Sequence, residues 1–118
     1  MRAVKSALHV ISVTAVFVAT ASPVWAQTRV QVVLLDGRIQ PASMTATERQ
    51  PLHIDVVNRG LKVHNFVIPD FYVFTSNLNP GERTSIEFRP TKAGSFRYYS
   101  DKNGVPEKGM EGTLKVQP

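Results

Sequence analysis

Side chains able to bind a metal are concentrated in one stretch of this 118-residue sequence, residues 97–116. Two tyrosines are followed there by a polar segment that contains Asp101, Glu107 and Met110, and the methionine stands between two glycines. Carboxylate oxygens and the methionine thioether are both metal donors, although they favour different ions. The stretch therefore has the composition of a metal-binding loop.

The imidazole that could join these donors is His64, in the run His64-Asn65-Phe66. Imidazole is a ligand for zinc, copper, iron and nickel. A histidine at the end of a buried strand is in general more often structural than a ligand, and a lone methionine is by default a core residue. Carboxylates interleaved with lysines are also typical of a solvated loop. These residues alone leave open both a metal site and a purely structural role.

Composition excludes several other functions. The sequence contains no cysteine, so the domain folds without disulfides and has no thiol nucleophile. Its formal net charge is +5, but the lysines and arginines are scattered singly, which argues against nucleic-acid binding. No serine-nucleophile elbow, phosphate-binding glycine loop or zinc-protease motif is present. Nothing in the sequence indicates an enzyme.

The first 26 residues have the pattern of a secretory signal peptide. Arg2 and Lys5 precede the apolar run 7–21, and the segment ends at Ala26, a small residue suited to cleavage. The apolar run is shorter than the ~20 residues that a membrane span requires. We therefore expect a signal peptide at 1–26 and one exported domain at 27–118, with no membrane span after cleavage.

The expected domain alternates short β-branched runs with turn residues, and it shows no sustained helical periodicity. Within 94–100, alternation places Phe96, Tyr98 and Ser100 on one face. Short strands with turns at close intervals are typical of a β-sandwich or barrel. Strands are predicted at 29–35, 51–58, 63–68, 71–75, 84–88, 94–100 and 113–117, with a short extended piece at 43–46.

Taken together, these segments resemble the cupredoxin family, the Greek-key β-sandwiches that hold a type 1 (blue) copper. The resemblance rests on four segments. Residues 33–41 resemble the opening strand and its link to a proline, and 51–58 resemble a strand that ends at an asparagine. His64-Asn65-Phe66 is similar to the first histidine motif, and 94–116 resemble the last two strands with the ligand loop. It implies an all-β, cupredoxin-like Greek-key β-sandwich over nearly the whole of residues 27–118.

The resemblance breaks at the copper ligands. In the family the loop carries Cys, His and Met in order; here Ser100 takes the cysteine position, Val105 lies at or near the histidine position, and Met110 takes the methionine position. Residues 101–109 contain no histidine and the sequence contains no cysteine, so two ligands are missing under any alignment. A blue-copper site requires a thiolate in a His₂Cys plane, so blue-copper electron transfer is excluded on chemical grounds.

The donors that the resemblance gathers at one end of the sandwich are His64, Met110, Asp101 and Glu107. This set has shifted from sulfur toward oxygen, which favours harder or borderline ions, with iron as the main candidate. The sequence is also similar to cupredoxin-like periplasmic proteins that accompany bacterial iron permeases.

These observations predict a periplasmic metal-binding accessory protein that lacks blue copper and acts in iron uptake. Its expected partner is a periplasmic or inner-membrane metal-transport protein. Two alternatives stay open, a metal-free interaction module and a copper carrier that uses His64 and Met110.

Overall fold

The structure, a computed structural model, describes residues 11–16 and 28–118. Most of the predicted signal peptide therefore lies outside the described residues, and its boundary with the domain at residue 27 stays a prediction. Residues 11–16 have no regular secondary structure and are exposed. Within the two described ranges, no helix is long and apolar enough to cross a membrane.

Residues 28–118 form two packed sheets. One sheet has the strand order β2-β1-β4-β7 and the other has the order β3-β9-β8-β5-β6. The pairs β1/β4 and β3/β9 are parallel, whereas the remaining pairs are antiparallel. The strands are β1 Thr28–Leu35, β2 Arg38–Gln40, β3 Ser43–Thr47, β4 Leu52–Asn58, β5 Val67–Ile68, β6 Val73–Phe74, β7 Arg83–Phe88, β8 Gly94–Lys102 and β9 Val105–Gln117. The predicted all-β sandwich is confirmed.

The core lies between the sheets and follows from strand alternation. In β4, Leu52, Ile54 and Val56 are buried, while His53 and Asp55 lie on the outer face, as predicted. The opposite sheet contributes a second set of buried side chains, which includes Met44, Ala46, Phe66, Ile68, Tyr98, Met110, Leu114 and Val116. Met110 is fully buried and is part of this apolar core.

Tyr98 ties the second sheet to the segment before β3. Its ring is fully buried against Phe66, with ring centroids 5.5 Å apart, and its hydroxyl donates to the carbonyl oxygen of Pro41 at 2.5 Å. Burial raises the pKa of Tyr98 to about 12. Gly112 is its cross-strand partner, and a Cβ at Gly112 would stand 2.2 Å from the ring. The glycine therefore makes room for the tyrosine.

Two strand predictions are only partly correct. The predicted strand 63–68 is reduced to β5, and His64 forms only an isolated bridge with Leu78. The predicted strand 71–75 is reduced to β6, because a 3₁₀ helix at Pro69–Phe71 precedes it and ends at Tyr72 with a φ of 55°. Pro69 fixes φ and removes a backbone donor, which favours the helical turn over a continued strand.

The prediction of a polar loop after Ser100 is wrong. Strand β8 continues to Lys102 and β9 already begins at Val105, so the two strands meet in a two-residue hairpin. Asn103 and Gly104 occupy its turn with φ values of 53° and 83°. Asn-Gly is the dipeptide that best tolerates two positive φ angles, and it is a strong hairpin signal. The sequence contained this signal, but the family loop was expected in its place.

The fit between Gly112 and Tyr98 predicts the effect of Gly112→Ala. The new methyl group would overlap the tyrosine ring, and overpacking of this kind costs about 1–3 kcal/mol. Urea unfolding should show a lower midpoint. Gly81→Ala is the comparison, because its Cβ meets nothing within 4 Å and only its φ of +85° is unfavourable, at about 1 kcal/mol. A Gly112→Ala midpoint at or above that of Gly81→Ala would contradict the packing argument.

Candidate metal site

A large bulge in β9 shapes the site. Tyr99 pairs with Glu111 and Asp101 pairs with Pro106, so one residue of β8 lies opposite four residues of β9, 107–110. Bulges of this kind redirect side chains and are common beside functional sites. Here the bulge turns Glu107 toward the end of the sandwich.

Backbone packing explains why the bulge contains a glycine. Gly109 has a φ of +79°, a conformation that glycine adopts without strain. A Cβ at this position would stand only 2.3 Å from the carbonyl oxygen of Gly37, in the β1–β2 turn. Gly109 therefore lets the bulge approach the turn that carries Asp36.

The centre of the site is a histidine held between two carboxylates. The His64 side chain is only 1% exposed, and its backbone N–H and C=O both bond to Leu78, at 3.1 and 2.7 Å. Its Nε2 lies 2.7 Å from Oδ1 of Asp36 and its Nδ1 lies 2.7 Å from Oε2 of Glu107. Three segments far apart in the sequence therefore meet on one imidazole ring.

Asp36 is the part of the site that the sequence interpretation missed. Its carboxylate accepts the backbone N–H of Leu61 at 3.0 Å and that of Lys62 at 3.2 Å, in addition to the His64 ring. The hydrogen bond with His64 lowers the pKa of Asp36 most, followed by the bond from Leu61. Because Asp36 is ionised, it accepts a hydrogen bond from the Nε2–H group of His64. The only sequence signal at this position is the dipeptide Asp36-Gly37, which is typical of a turn.

Gly60 fits closely against the same carboxylate. A Cβ on this residue would stand 2.4 Å from Oδ1 of Asp36. Its N–H donates to the side-chain oxygen of Asn58 at 2.9 Å. The Asn58-Arg59-Gly60 turn therefore both follows β4 and leaves space for Asp36.

A hydrogen-bond network behind Glu107 fixes its position. The hydroxyl of Ser100, which is fully buried, donates to Oε2 of Glu107 at 2.5 Å and accepts the backbone N–H of Asn65 at 3.1 Å. Oδ1 of Asn65 in turn accepts the backbone N–H of Asp101 at 2.6 Å. Asn65 thus ties the His64 segment to the end of β8.

The three other predicted donors lie around His64, but the four do not share one cavity. A cavity of about 440 Å³ is lined by His64, Asp101 and Glu107 but not by Met110. A neighbouring cavity of about 420 Å³ is lined by His64, Glu107, Met110 and Asp36 but not by Asp101. His64 and Glu107 line both cavities, whereas Asp101 lines only the first and Met110 only the second.

Within residues 11–16 and 28–118, no group of three or more His, Asp or Glu side chains is arranged to hold a metal ion directly. The reason is geometric, since Asp36 and Glu107 contact opposite nitrogens of His64. Nε2 already donates to Asp36, so the short Nδ1–Glu107 contact contains one additional proton, carried by the ring or by the carboxyl group. A cation that displaces this proton would gain one nitrogen and one oxygen ligand.

A type 1 copper centre does not fit these residues. The cysteine position holds Ser100, whose hydroxyl is a hydrogen-bond donor to Glu107 rather than a thiolate. No second imidazole faces the site in the described part of the chain, because His53 lies on the outer face of β4 and contacts Asp55 at 3.1 Å. Without the thiolate and the second imidazole, the blue-copper ligand plane cannot form.

This architecture, with a site at one end of a two-sheet Greek-key sandwich, is that of the small copper-protein fold. The family model of the cupredoxin-like domain matches residues 8–116, and the chain belongs to this family. No curated protein sequence matches the chain. The resemblance to cupredoxins is therefore confirmed, and the chain is related to copper-binding proteins.

Solved structures with the same fold include an auracyanin, a copper-binding protein and part of a transporter. Auracyanin from Roseiflexus castenholzii has a TM-score of 0.66 at 17% identity, covering 77% of this chain and 98% of its own. A copper binding protein in its apo form has a TM-score of 0.61 at 25% identity, and the match covers 77% of this chain and 88% of that protein. The metal binding domain of the Streptococcus pneumoniae Cu(I) exporting P-type ATPase CopA, solved with Cu(I), has a TM-score of 0.66 at 13% identity. The match covers 78% of this chain and 87% of that domain.

The lowered pKa of Asp36 predicts a pH-dependent effect of Asp36→Asn. Ionised Asp36 contributes stability that is fully present above its unfolded-state pKa of about 3.9 and is lost as the pH falls through its lower folded-state pKa. The difference in the free energy of unfolding between the two proteins should therefore be largest near pH 7 and shrink below about pH 4.

Urea unfolding at several pH values between roughly 2.5 and 7 would measure this difference. Asp70→Asn is the control, because Asp70 is an exposed residue of the 3₁₀ helix. A difference for Asp36→Asn that stays constant across the pH range would show that the Asp36 charge contributes nothing.

Proposed function

We propose that the protein is a periplasmic metal-binding accessory protein that takes up iron at His64 and passes it to a metal-transport system. The observation that carries this proposal is the Nδ1–Glu107 contact of 2.7 Å, in which a cation can replace one proton. Metal binding with release of a proton is the usual behaviour of protein ligands.

Asp36 gives the imidazole the environment of a metal ligand. Metal-binding histidines characteristically donate their other ring N–H to a carboxylate, which orients the ring and raises its basicity. Asp36 stands in this position on Nε2, and it is itself held by two backbone N–H groups. Nδ1 is then the ligating nitrogen.

The donor set supports iron over Cu(I). A metal at Nδ1 and Glu107 would have an imidazole nitrogen and a carboxylate oxygen as ligands, and the cavity that these residues line with Asp101 offers a further carboxylate. Nitrogen and oxygen donors suit iron and zinc, whereas Cu(I) prefers thiolate and thioether. One imidazole with carboxylates also makes an incomplete ligand set, which suits a protein that transfers a metal.

The partner and location follow from the sequence. A signal peptide at 1–26 would export the domain, and the resemblance to cupredoxin-like proteins that accompany iron permeases points to the periplasm. The expected partner is therefore a periplasmic or inner-membrane metal-transport protein that accepts iron from the His64 end of the sandwich.

A copper carrier is the second candidate. Met110 lines the cavity beside His64 and Glu107, and a methionine thioether is a Cu(I) ligand. A solved relative by fold is described as a copper binding protein, and another was solved with Cu(I). This candidate places copper on the Met110 side of the site.

A metal-free interaction module is the third. Both nitrogens of His64 already have carboxylate partners, and no buried side-chain nitrogen or oxygen in the described residues lacks a hydrogen bond. The network is therefore complete without a metal. In this candidate the cluster only holds three segments together, and any partner binds whether or not His64 is intact.

Metal titration of the purified protein distinguishes the three. We expect Fe(II) or Fe(III) to bind with a Kd below roughly 10 μM, about −7 kcal/mol, and more tightly than Cu(I). Glu107→Gln and His64→Ala should each weaken iron binding at least tenfold, about 1.4 kcal/mol, because each removes one ligand. His53→Ala is the matched control, since His53 lies on the outer face of β4.

Each alternative predicts a different result. Tighter Cu(I) than iron binding, abolished by Met110→Leu, would establish the copper carrier. Failure of Fe(II), Fe(III), Cu(II) and Cu(I) to bind below roughly 10 μM would refute the metal-binding proposal and leave the interaction module. Equal losses in His64→Ala and His53→Ala would mean that the iron sits elsewhere.

A further inference from the structure

Lysines surround the opening of the site. Lys62 and Lys102 line both cavities beside His64, and Lys108 lines the one that contains Met110. All three are exposed. Among the six ion pairs formed within the described ranges, none contains a lysine. The ammonium groups around the opening therefore have no carboxylate partner there.

The carboxylates of the same site are in a different condition. Asp36 is occupied by His64 and two backbone N–H groups, and Glu107 is occupied by His64 and Ser100. Both carboxylates are thus held by hydrogen bonds inside the protein. The other charged side chains at the opening are three lysines and one carboxylate, Asp101, so the charge there is mainly positive.

The 440 Å³ cavity adds neutral donors to this positive charge. Asn65, Asn77 and Asn103 line it together with Lys62 and Lys102, and Val63 is its only apolar lining residue. Side-chain amides and ammonium groups together favour a ligand with several carboxylate or hydroxyl oxygens. The volume falls in the range of small-molecule pockets.

We propose that this cavity binds the carboxylate groups of a small polycarboxylate, so that the metal arrives as an anionic polycarboxylate chelate rather than as a bare cation. The inference rests on the proposed function, because it assumes that the metal reaches His64 and Glu107. Lys62 and Lys102 hold the free carboxylates of the chelate, while the metal faces the imidazole. The same lysines would weaken the binding of a bare cation.

Calorimetric titration with citrate, without metal, tests the anion site. Citrate should bind with a Kd below roughly 1 mM, and the double variant Lys62→Gln/Lys102→Gln should weaken it at least tenfold. Lys115→Gln, an exposed lysine on β9, is the control and should leave the affinity unchanged. The absence of citrate binding, or an equal loss in Lys115→Gln, would overturn the proposal.

A second titration separates a small anion from an acidic protein segment, which carries the same carboxylates. A short polyglutamate peptide should bind more weakly than citrate. Tighter binding of the peptide would overturn the proposal in favour of an acidic partner.

Iron added as the chloride and as the citrate complex separates this inference from the proposed function. Fe(III)–citrate should bind the unmodified protein and lose affinity in the double-lysine variant, whereas Fe(II) chloride should bind that variant more tightly. If the double-lysine variant loses affinity for neither form of iron, the chelate proposal is overturned while the iron-binding proposal stands. Citrate binding with no binding of either iron form overturns the proposed function and, with it, the chelate.

Discussion

The contact of His64 with two carboxylates is the interaction on which this end of the molecule depends. Asp36 comes from the first turn of one sheet, and Glu107 comes from the last strand of the other. A buried imidazole between them joins the two sheets where their strands end. Removal of either carboxylate would leave a buried polar group without its partner, which is costly in a protein interior. The same contact is therefore both a structural link and the candidate site.

The scaffold around this contact consists of close backbone approaches. Gly109 and Gly60 each stand where a side chain would strike Gly37 or Asp36. Ser100 fills the position of the family's cysteine and holds Glu107 by a hydrogen bond. Its hydroxyl keeps the carboxylate next to the imidazole. Ser100, Glu107 and His64 therefore form an internally consistent set of polar contacts.

Much of the fold could be predicted from the sequence, because strand alternation and turn residues are local signals. The faces of β4 and β8 and the family itself were predicted correctly. The extent of β9 was not predicted correctly, because the turn signal of Asn103-Gly104 was missed and a longer family loop was expected. Asp36 was missed for a different reason. Its role depends on a contact across 28 residues of sequence, which no local pattern reveals. Whether the predicted donors bind a metal stays a prediction.

The two-residue hairpin at Asn103-Gly104 has a consequence for protein engineering. In the family, the thiolate and the second imidazole come from the loop between the last two strands, and this chain has closed that segment into a two-residue hairpin followed by a bulge. Ser100→Cys would supply the sulfur ligand, but the short hairpin provides no loop that could carry the second histidine. Recreating a blue-copper centre would therefore require a longer graft that unpairs the start of β9, and the graft would also displace Glu107.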